Sequence, residues 1–201
     1  MEQRFSEITY GVLAGGRSLR MGRDKACLLL NGKTFLERVL EAGAAFPERL
    51  VSLCADGVVP PLPADVAVVR DEHPDAGPLE GIRQLLRHTA KPACLVVATD
   101  LPGLTPALTA ALASRYPGSG NLVLTCGGKR EPLCSIYARE CLPVIGKMQT
   151  QGLARPAFLF ERVPTQYLAL ETLGFSAQAI QNINCPEDYR ALGGTEAWEK
   201  R

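Results

Sequence analysis

Apolar residues along this chain alternate between two spacings. Ile8 to Ala14, Leu50 to Ala55, Val66 to Val69 and Cys94 to Ala98 are short, nearly continuous runs, the pattern of strands covered on both faces. Between them apolar positions recur at helical spacing. Thr34-Phe35-Leu36-Glu37 has the form of a capping box and is followed by Leu36, Val39, Leu40 and Ala44 on one stripe. Leu79, Ile82, Leu85 and Leu86 make a second stripe, entered through Gly77-Pro78, and Thr105-Pro106 supplies an N-cap and N1 proline for a third helix carrying Leu108 and Leu112. Asn121 to Thr125 and Leu133 to Tyr137 flank Gly127-Gly128, which predicts a hairpin or a longer antiparallel excursion. Arg139 to Gln151 reads as helix with Pro143 near its start, Gln166 to Leu170 as a strand, and Pro186-Glu187-Asp188 as the first turn of a last helix. Strand and helix alternate through the first half, so the fold class is α/β, a mostly parallel sheet with helices on both faces. In such sheets the ligand sits at the carboxyl ends of the strands, which nominates the segments after Ala14, Val69 and Ala98.

Composition narrows the function. At 201 residues the chain suits one domain, expected to span residues 1–201. Lys and Arg total 22 against 21 Asp and Glu, so no basic field advertises nucleic acid or an anionic membrane; any anion site must be local. The apolar runs are too short to span a bilayer, and Met1-Glu2-Gln3-Arg4 lacks a signal-peptide core, which points to the cytoplasm. The seven cysteines contain no Cys-x-x-Cys pair and are expected to be reduced, with Cys54, Cys94 and Cys134 acting as small hydrophobes. Neither His73 nor His88 sits in a motif that would activate a thiol.

The stretch Leu13-Ala14-Gly15-Gly16-Arg17-Ser18-Leu19-Arg20-Met21-Gly22-Arg23-Asp24-Lys25 carries most of the chemistry. It sets a glycine-rich loop with four cationic side chains directly behind a strand, where backbone amides converge on an anion and Lys25 adds a compact charge. It is neither a Walker loop nor the dinucleotide pattern Gly-x-Gly-x-x-Gly. A plain turn with solvated arginines is the alternative; glycine, Arg20 and Lys25 together favour phosphate. Asp100 ends the central strand, placed either to hold Mg²⁺ or to open the turn before Pro102. Asp71 stands at the end of another strand, facing a ligand or pairing with Arg70 or a lysine. Gly77-Pro78-Leu79-Glu80-Gly81 has room for a base or an anion, or for tight helix packing. Asn182-Ile183-Asn184 puts two amides on one side if extended, for phosphate, metal or a heterocycle; Asn184 serves equally as an Asx cap for the helix at Pro186.

These motifs, with Thr99-Asp100-Leu101-Pro102, Glu131-Pro132-Leu133 and Asn182-Ile183-Asn184-Cys185-Pro186-Glu187-Asp188, resemble in order, over nearly the whole chain, the molybdenum cofactor guanylyltransferases of the MobA type. Gly15-Gly16, where related cytidylyltransferases carry Ala-Gly, tilts the resemblance to the guanylyl branch. It implies a Rossmann-like fold, of nucleotide-diphospho-sugar transferase type, that joins GMP from GTP to the terminal phosphate of Mo-molybdopterin with Mg²⁺. Leu13, Ala14, Gly15, Gly16 and Lys25 would then bind GTP, Asp71 would contact the nucleotide, and Asp100 would bind Mg²⁺. Arg20, Gly77, Gly81, Asn182 and Asn184 would lie along the pterin side or the metal edge, with Lys25, Arg20 and Asp100 as the catalytic set. Transient contact with other molybdenum cofactor biosynthesis or acceptor proteins is implied too. One departure stands out: Leu53-Cys54-Ala55-Asp56 occupies the place of an Asn-x-Asn stretch that reaches the nucleotide in many members. A cytidylyltransferase or another NTP:phosphate nucleotidyltransferase is the first alternative, and a nucleotide-binding regulator without catalysis the second.

Overall fold

The structure, a computed structural model, describes residues 5–15, 25–73 and 76–194. In chain order its strands are β1 (Ile8–Leu13), β2 (Leu29–Leu30), β3 (Lys33–Thr34), β4 (Arg49–Leu53), β5 (Val66–Arg70), β6 (Ala93–Ala98), β7 (Asn121–Cys126), β8 (Lys129–Ala138) and β9 (Thr165–Ala169). The α-helices are α1 (Phe35–Ala42), α2 (Pro78–His88), α3 (Pro106–Arg115), α4 (Leu142–Thr150) and α5 (Pro186–Ala191). Seven strands form one sheet in the order β5-β4-β1-β6-β8-β7-β9. Only β8 runs against its neighbours in that sheet, pairing antiparallel with both β6 and β7. From β1 the chain steps outward to β4 and β5, then crosses back through α2 to lay β6 on the other side of β1. The direction of progression reverses between β1 and β6, and this switch point opens a crevice beyond their carboxyl ends.

Strand alternation explains the layers. Ile8, Tyr10 and Val12 of β1 and Ala93, Leu95 and Val97 of β6 face one core, where Leu36, Val39 and Leu40 of α1 and Leu108 and Leu112 of α3 cover them. Leu13, Cys94 and Val96 face the other, under Leu79, Ile82, Leu85 and Leu86 of α2 and Ile145 and Met148 of α4. Gly11 makes the second packing possible, since a Cβ there would lie 2.7 Å from Leu85. The expected capping box at α1 is present: the Glu37 amide donates to Thr34 Oγ1 at 3.1 Å and the Thr34 amide to Glu37 at 2.7 Å. The Gly127-Gly128 hairpin between β7 and β8 is also present. No helix among the described residues is long and apolar enough to cross a membrane.

Several boundaries differ from the sequence reading, among them β8, which spans Lys129–Ala138 rather than Leu133 to Tyr137, and β1, which ends at Leu13. Helix α1 stops at Ala42 rather than reaching Ala44, with Gly43 as its C-cap, and Gly43 packs so close to Tyr10 that a Cβ would be 2.2 Å from a ring carbon. Cys54 and Ala55 leave the sheet as a turn whose carbonyls are drawn to Arg70. Arg139–Cys141 forms a 3₁₀ turn before α4, which begins at Leu142 with Pro143 in its first turn. Leu170 ends the strand reading early, opening a 3₁₀ turn over Leu170–Leu173.

A small hairpin went unread. Asn31 (φ 52°) and Gly32 (φ 78°) turn β2 into β3, the left-handed pair that an Asn-Gly dipeptide favours. Its Leu28 and Leu30, with Phe35, pack against Ile183 and Tyr189 from the far end of the chain. Tyr189 also donates its hydroxyl to the Leu29 carbonyl. This third cluster holds the segment before α5 against the segment after Lys25, and so builds one wall of the crevice.

Candidate active site

Each side chain at the crevice is held by a strand end or by the third cluster. Thr99 donates from both its amide and its hydroxyl to the Leu13 carbonyl, at 3.2 and 3.3 Å, and this ties the ends of β1 and β6 together. Asp100 follows. Lys25, in a 3₁₀ turn over Lys25–Cys27, places Nζ 3.1 Å from Asp100 Oδ2 and 2.9 Å from Asn184 Oδ1. The Ile183 amide donates to the Asp100 carbonyl at 3.0 Å, so residues separated by most of the chain are pinned as one unit. The Asp100–Lys25 pair is sheltered, with side-chain exposures of 21 % and 16 %. Asp100 Oδ1 is buried and has no hydrogen-bond partner among the described residues, an arrangement that asks for a ligand such as a metal ion.

The structure decides between the readings left open for Asn184. The N-cap of α5 is Cys185, and Asp188 takes the Asn184 and Cys185 amides at 3.0 and 3.2 Å. The Asn184 side chain is therefore not the cap and turns to Lys25. Asn182 and Asn184 are exposed on either side of buried Ile183, as the alternation predicts.

A second group lies at the end of β5. Asp71 does not pair with Arg70. Ser52, buried on β4, donates its hydroxyl to Asp71 Oδ1 at 3.3 Å. Burial pushes the Asp71 carboxyl up to about 6, against the pull of the Ser52 bond, and the charge of Glu80 adds to the rise. Arg70 instead donates one guanidinium nitrogen to the carbonyls of Cys54, Ala55 and Gly57, at 3.2, 3.1 and 2.8 Å. The turn it holds is the one against which Gly15 sits, where a Cβ would lie 2.8 Å from the Cys54 amide nitrogen.

The remaining predicted residues fall as follows. Leu13 and Ala14, at the carboxyl end of β1, are buried, and Gly15 is exposed. Gly77 is exposed and takes φ 73°, a value glycine tolerates, at the head of α2. Gly81 is on the buried face of that helix, where a Cβ would be 2.7 Å from Leu13, so it packs the helix on the sheet. Gly16 and Arg20 lie outside the described residues. All seven cysteines are reduced; Cys94, Cys134 and Cys141 are buried, and burial pushes the last two thiols up to about 12 and about 11. Cys54 is only half-buried, just past β4, and so is less a core residue than the sequence suggested.

Sequence reasoning missed Ser52, Glu80 and Arg70. Glu80 carried a signal: it is an acid with Gln84 four residues on, at a helix position that the fold buries completely.

A switch point between parallel strands that gathers a lysine, a strand-end carboxylate with a bare oxygen and a glycine rim is where a ligand is expected in an open α/β sheet. Residues 11–165 match the model of the MobA-like NTP transferase domain, and the chain belongs to that family of nucleotidyltransferases. It is 30 % identical over 188 residues to a probable molybdenum cofactor guanylyltransferase of Carboxydothermus hydrogenoformans, covering 92 % of this chain and 94 % of the relative. Among solved structures, it resembles molybdopterin-guanine dinucleotide biosynthesis protein A of Archaeoglobus fulgidus, with a TM-score of 0.75, 25 % identity, and coverage of 92 % and 96 %. The 2-C-methyl-D-erythritol 4-phosphate cytidylyltransferase of Thermus thermophilus shares the fold, with a TM-score of 0.69 at 18 % identity over 90 % and 95 % of the chains.

Proposed function

We propose that the chain is a molybdenum cofactor guanylyltransferase, moving GMP from GTP to the terminal phosphate of Mo-molybdopterin and releasing pyrophosphate. The observation that carries this is the Lys25–Asp100–Asn184 unit at the switch point, with Asp100 Oδ1 left for a cation.

The reaction is an in-line displacement. An oxygen of the acceptor phosphate forms a bond to the α-phosphorus of GTP, the bond from that phosphorus to the bridging oxygen breaks, and the electron pair leaves with pyrophosphate. The acceptor is already an anion at neutral pH, so the protein supplies position and charge rather than a nucleophile. Lys25 neutralises the charge that grows on the departing pyrophosphate. The exposed rim at Gly15 lets phosphate oxygens approach the backbone closely. Asp71 contacts the nucleotide, and Gly77, Gly81, Asn182 and Asn184 border the acceptor side, Gly81 by setting the height of α2. Gly16, assigned to GTP, and Arg20, assigned to the pterin side or metal edge, stand in the same glycine-rich stretch of sequence as Lys25.

A divalent cation, Mg²⁺ by preference for phosphate oxygens, fits Asp100: the donor is a hard carboxylate oxygen, buried and unpartnered. Bound there it would supply charge neutralisation at the phosphates. Asp100 holds it, and Asn184 keeps Lys25 to the side of Oδ2 so that Oδ1 stays available.

Purified protein given GTP, Mg²⁺ and molybdopterin should yield the pterin guanine dinucleotide and one pyrophosphate per product. CTP as the better donor would move the assignment to the cytidylyl branch. Nucleotide binding with no product would favour a regulator.

A further inference from the structure

We propose that Glu80 is a positioning residue for the nucleotide: by accepting hydrogen bonds from three segments at once it fixes the turn that carries Asp71 against α2 and α4. This rests on Asp71 being a nucleotide contact. Glu80 is wholly buried at the head of α2. Its Oε1 accepts the backbone amide of Glu72 at 3.0 Å, next to Asp71, and Gln84 Nε2 at 2.6 Å. Its Oε2 accepts Gln149 Nε2, from the end of α4, at 2.6 Å, and Arg83 lies 3.2 Å from both oxygens. Burial pushes the carboxyl up, but Gln84, Gln149, the Glu72 amide and Arg83 outweigh it and hold it down at about 2. Glu80 is thus a saturated anion. Just beyond Gln149, Ala154 Cβ lies 3.4 Å from where a Cβ of Gly77 would stand, so the chain after α4 also packs at the head of α2.

Another use of this cluster fails on its chemistry. Glu72, His73 and Glu80 bring ligand atoms within 4.8 Å of one another, the spacing of a metal site. Arg83 and Arg87 already hold the Glu72 carboxylate at 3.2 and 2.5 Å, and Arg83 holds Glu80, so two cations are in place before a metal arrives. The donors converge to immobilise, not to ligate.

The test is calorimetric titration of GTP with Mg²⁺ into wild type, Glu80→Gln, Gln149→Ala, Asp71→Asn and the Glu80→Gln/Asp71→Asn double variant, below every Tm, with steady-state kinetics beside it. Glu80→Gln keeps the size but cannot accept at both oxygens. We expect Glu80→Gln and Gln149→Ala each to weaken GTP binding about fivefold or more, the range of coupling through a packed network, and to raise KM for GTP while kcat at saturation stays within about twofold. In the Asp71→Asn background the Glu80 effect should shrink to less than about twofold, because the two act through one contact. Normal GTP affinity in Glu80→Gln, or a loss undiminished in the double variant, overturns the proposal. Normal affinity in Asp71→Asn instead refutes the nucleotide contact on which it rests. If Glu80→Gln does not fold, Gln149→Ala decides alone: wild-type affinity with an unchanged Tm sinks the idea.

Discussion

At the end of β6, Asp100 pairs with Lys25 through one oxygen and leaves the other bare among the described residues; beside the end of β5, Glu80 fills both oxygens with donors. Both carboxylates are sheltered and both face cations. The first set is self-neutralised but incomplete, so phosphate and metal can exchange into it at little cost in desolvation. The second is complete, and any substrate entering would displace better bonds than it makes. On the function proposed above, the incomplete cluster does the chemistry and the saturated one holds it in place.

The comparison breaks most visibly at Asp100. Asp100→Asn keeps the shape and removes the charge that holds a cation; turnover should fall by ~10³-fold, the several kcal/mol of charge stabilisation a bound metal supplies. A variant whose Mg²⁺ dependence and kcat match wild type would show that Oδ1 has no catalytic ligand. Lys25→Ala should slow turnover by ~10²-fold or more, by analogy with removal of one oxyanion donor, with a smaller effect on GTP affinity; an unchanged kcat would remove Lys25 from the transition state. Asn184→Ala leaves Lys25 its pair with Asp100 and takes away only the second anchor. A loss of about tenfold is expected there, and a loss as deep as that of Lys25→Ala would mean that Asn184 meets substrate directly.

The smallest effect sharpens the contrast on the β5 side through pH. Asp71 is raised from 3.8 to about 6 by burial, so the folded protein keeps its proton while the unfolded chain has lost it, and stability from this group falls as pH rises through that window. Glu80 is lowered from 4.5 to about 2, so its contribution is full above 4.5 and drains away as pH falls toward 2. Asp71→Asn should therefore gain a few degrees in Tm at pH 7 relative to wild type and nothing near pH 3.5, roughly 2 to 4 °C for each kcal/mol at this chain length. Glu80→Gln should lose Tm at pH 7 and converge on wild type in acid. Melting curves for both variants across this pH range check the opposite signs directly.

Much of this was legible before the fold was known, and the parts that were not share a cause. The runs Ile8 to Ala14 and Cys94 to Ala98 announce two strands, to within a residue at one end of each, because a strand buried on both faces needs continuous apolar side chains, and Lys25 and Asp100 stand out because charge at the exit of such a strand has few structural uses. Asn184 was visible as a residue, yet its partner was not. Its place beside Lys25 depends on Ile183 and Tyr189 packing on a hairpin more than a hundred residues away, and no local spacing encodes that. Glu80 was hidden differently. A carboxylate at an N-terminal helix position reads as an ordinary favourable charge, and only the arrival of Gln149 and the Glu72 amide shows that it is a buried junction. The turn after β4 was read as strand because Cys54 and Ala55 are small and apolar, while the force that bends it comes from Arg70 on the next strand.

Whether the incomplete cluster transfers a nucleotidyl group is tested most directly by single turnover with GTP labelled at the α-phosphorus, Mg²⁺ and excess molybdopterin. The label should pass wholly into the pterin dinucleotide, in step with pyrophosphate and with none retained on the protein. Label found on the protein, or released as GMP or GDP while the pterin stays unmodified, would contradict the account.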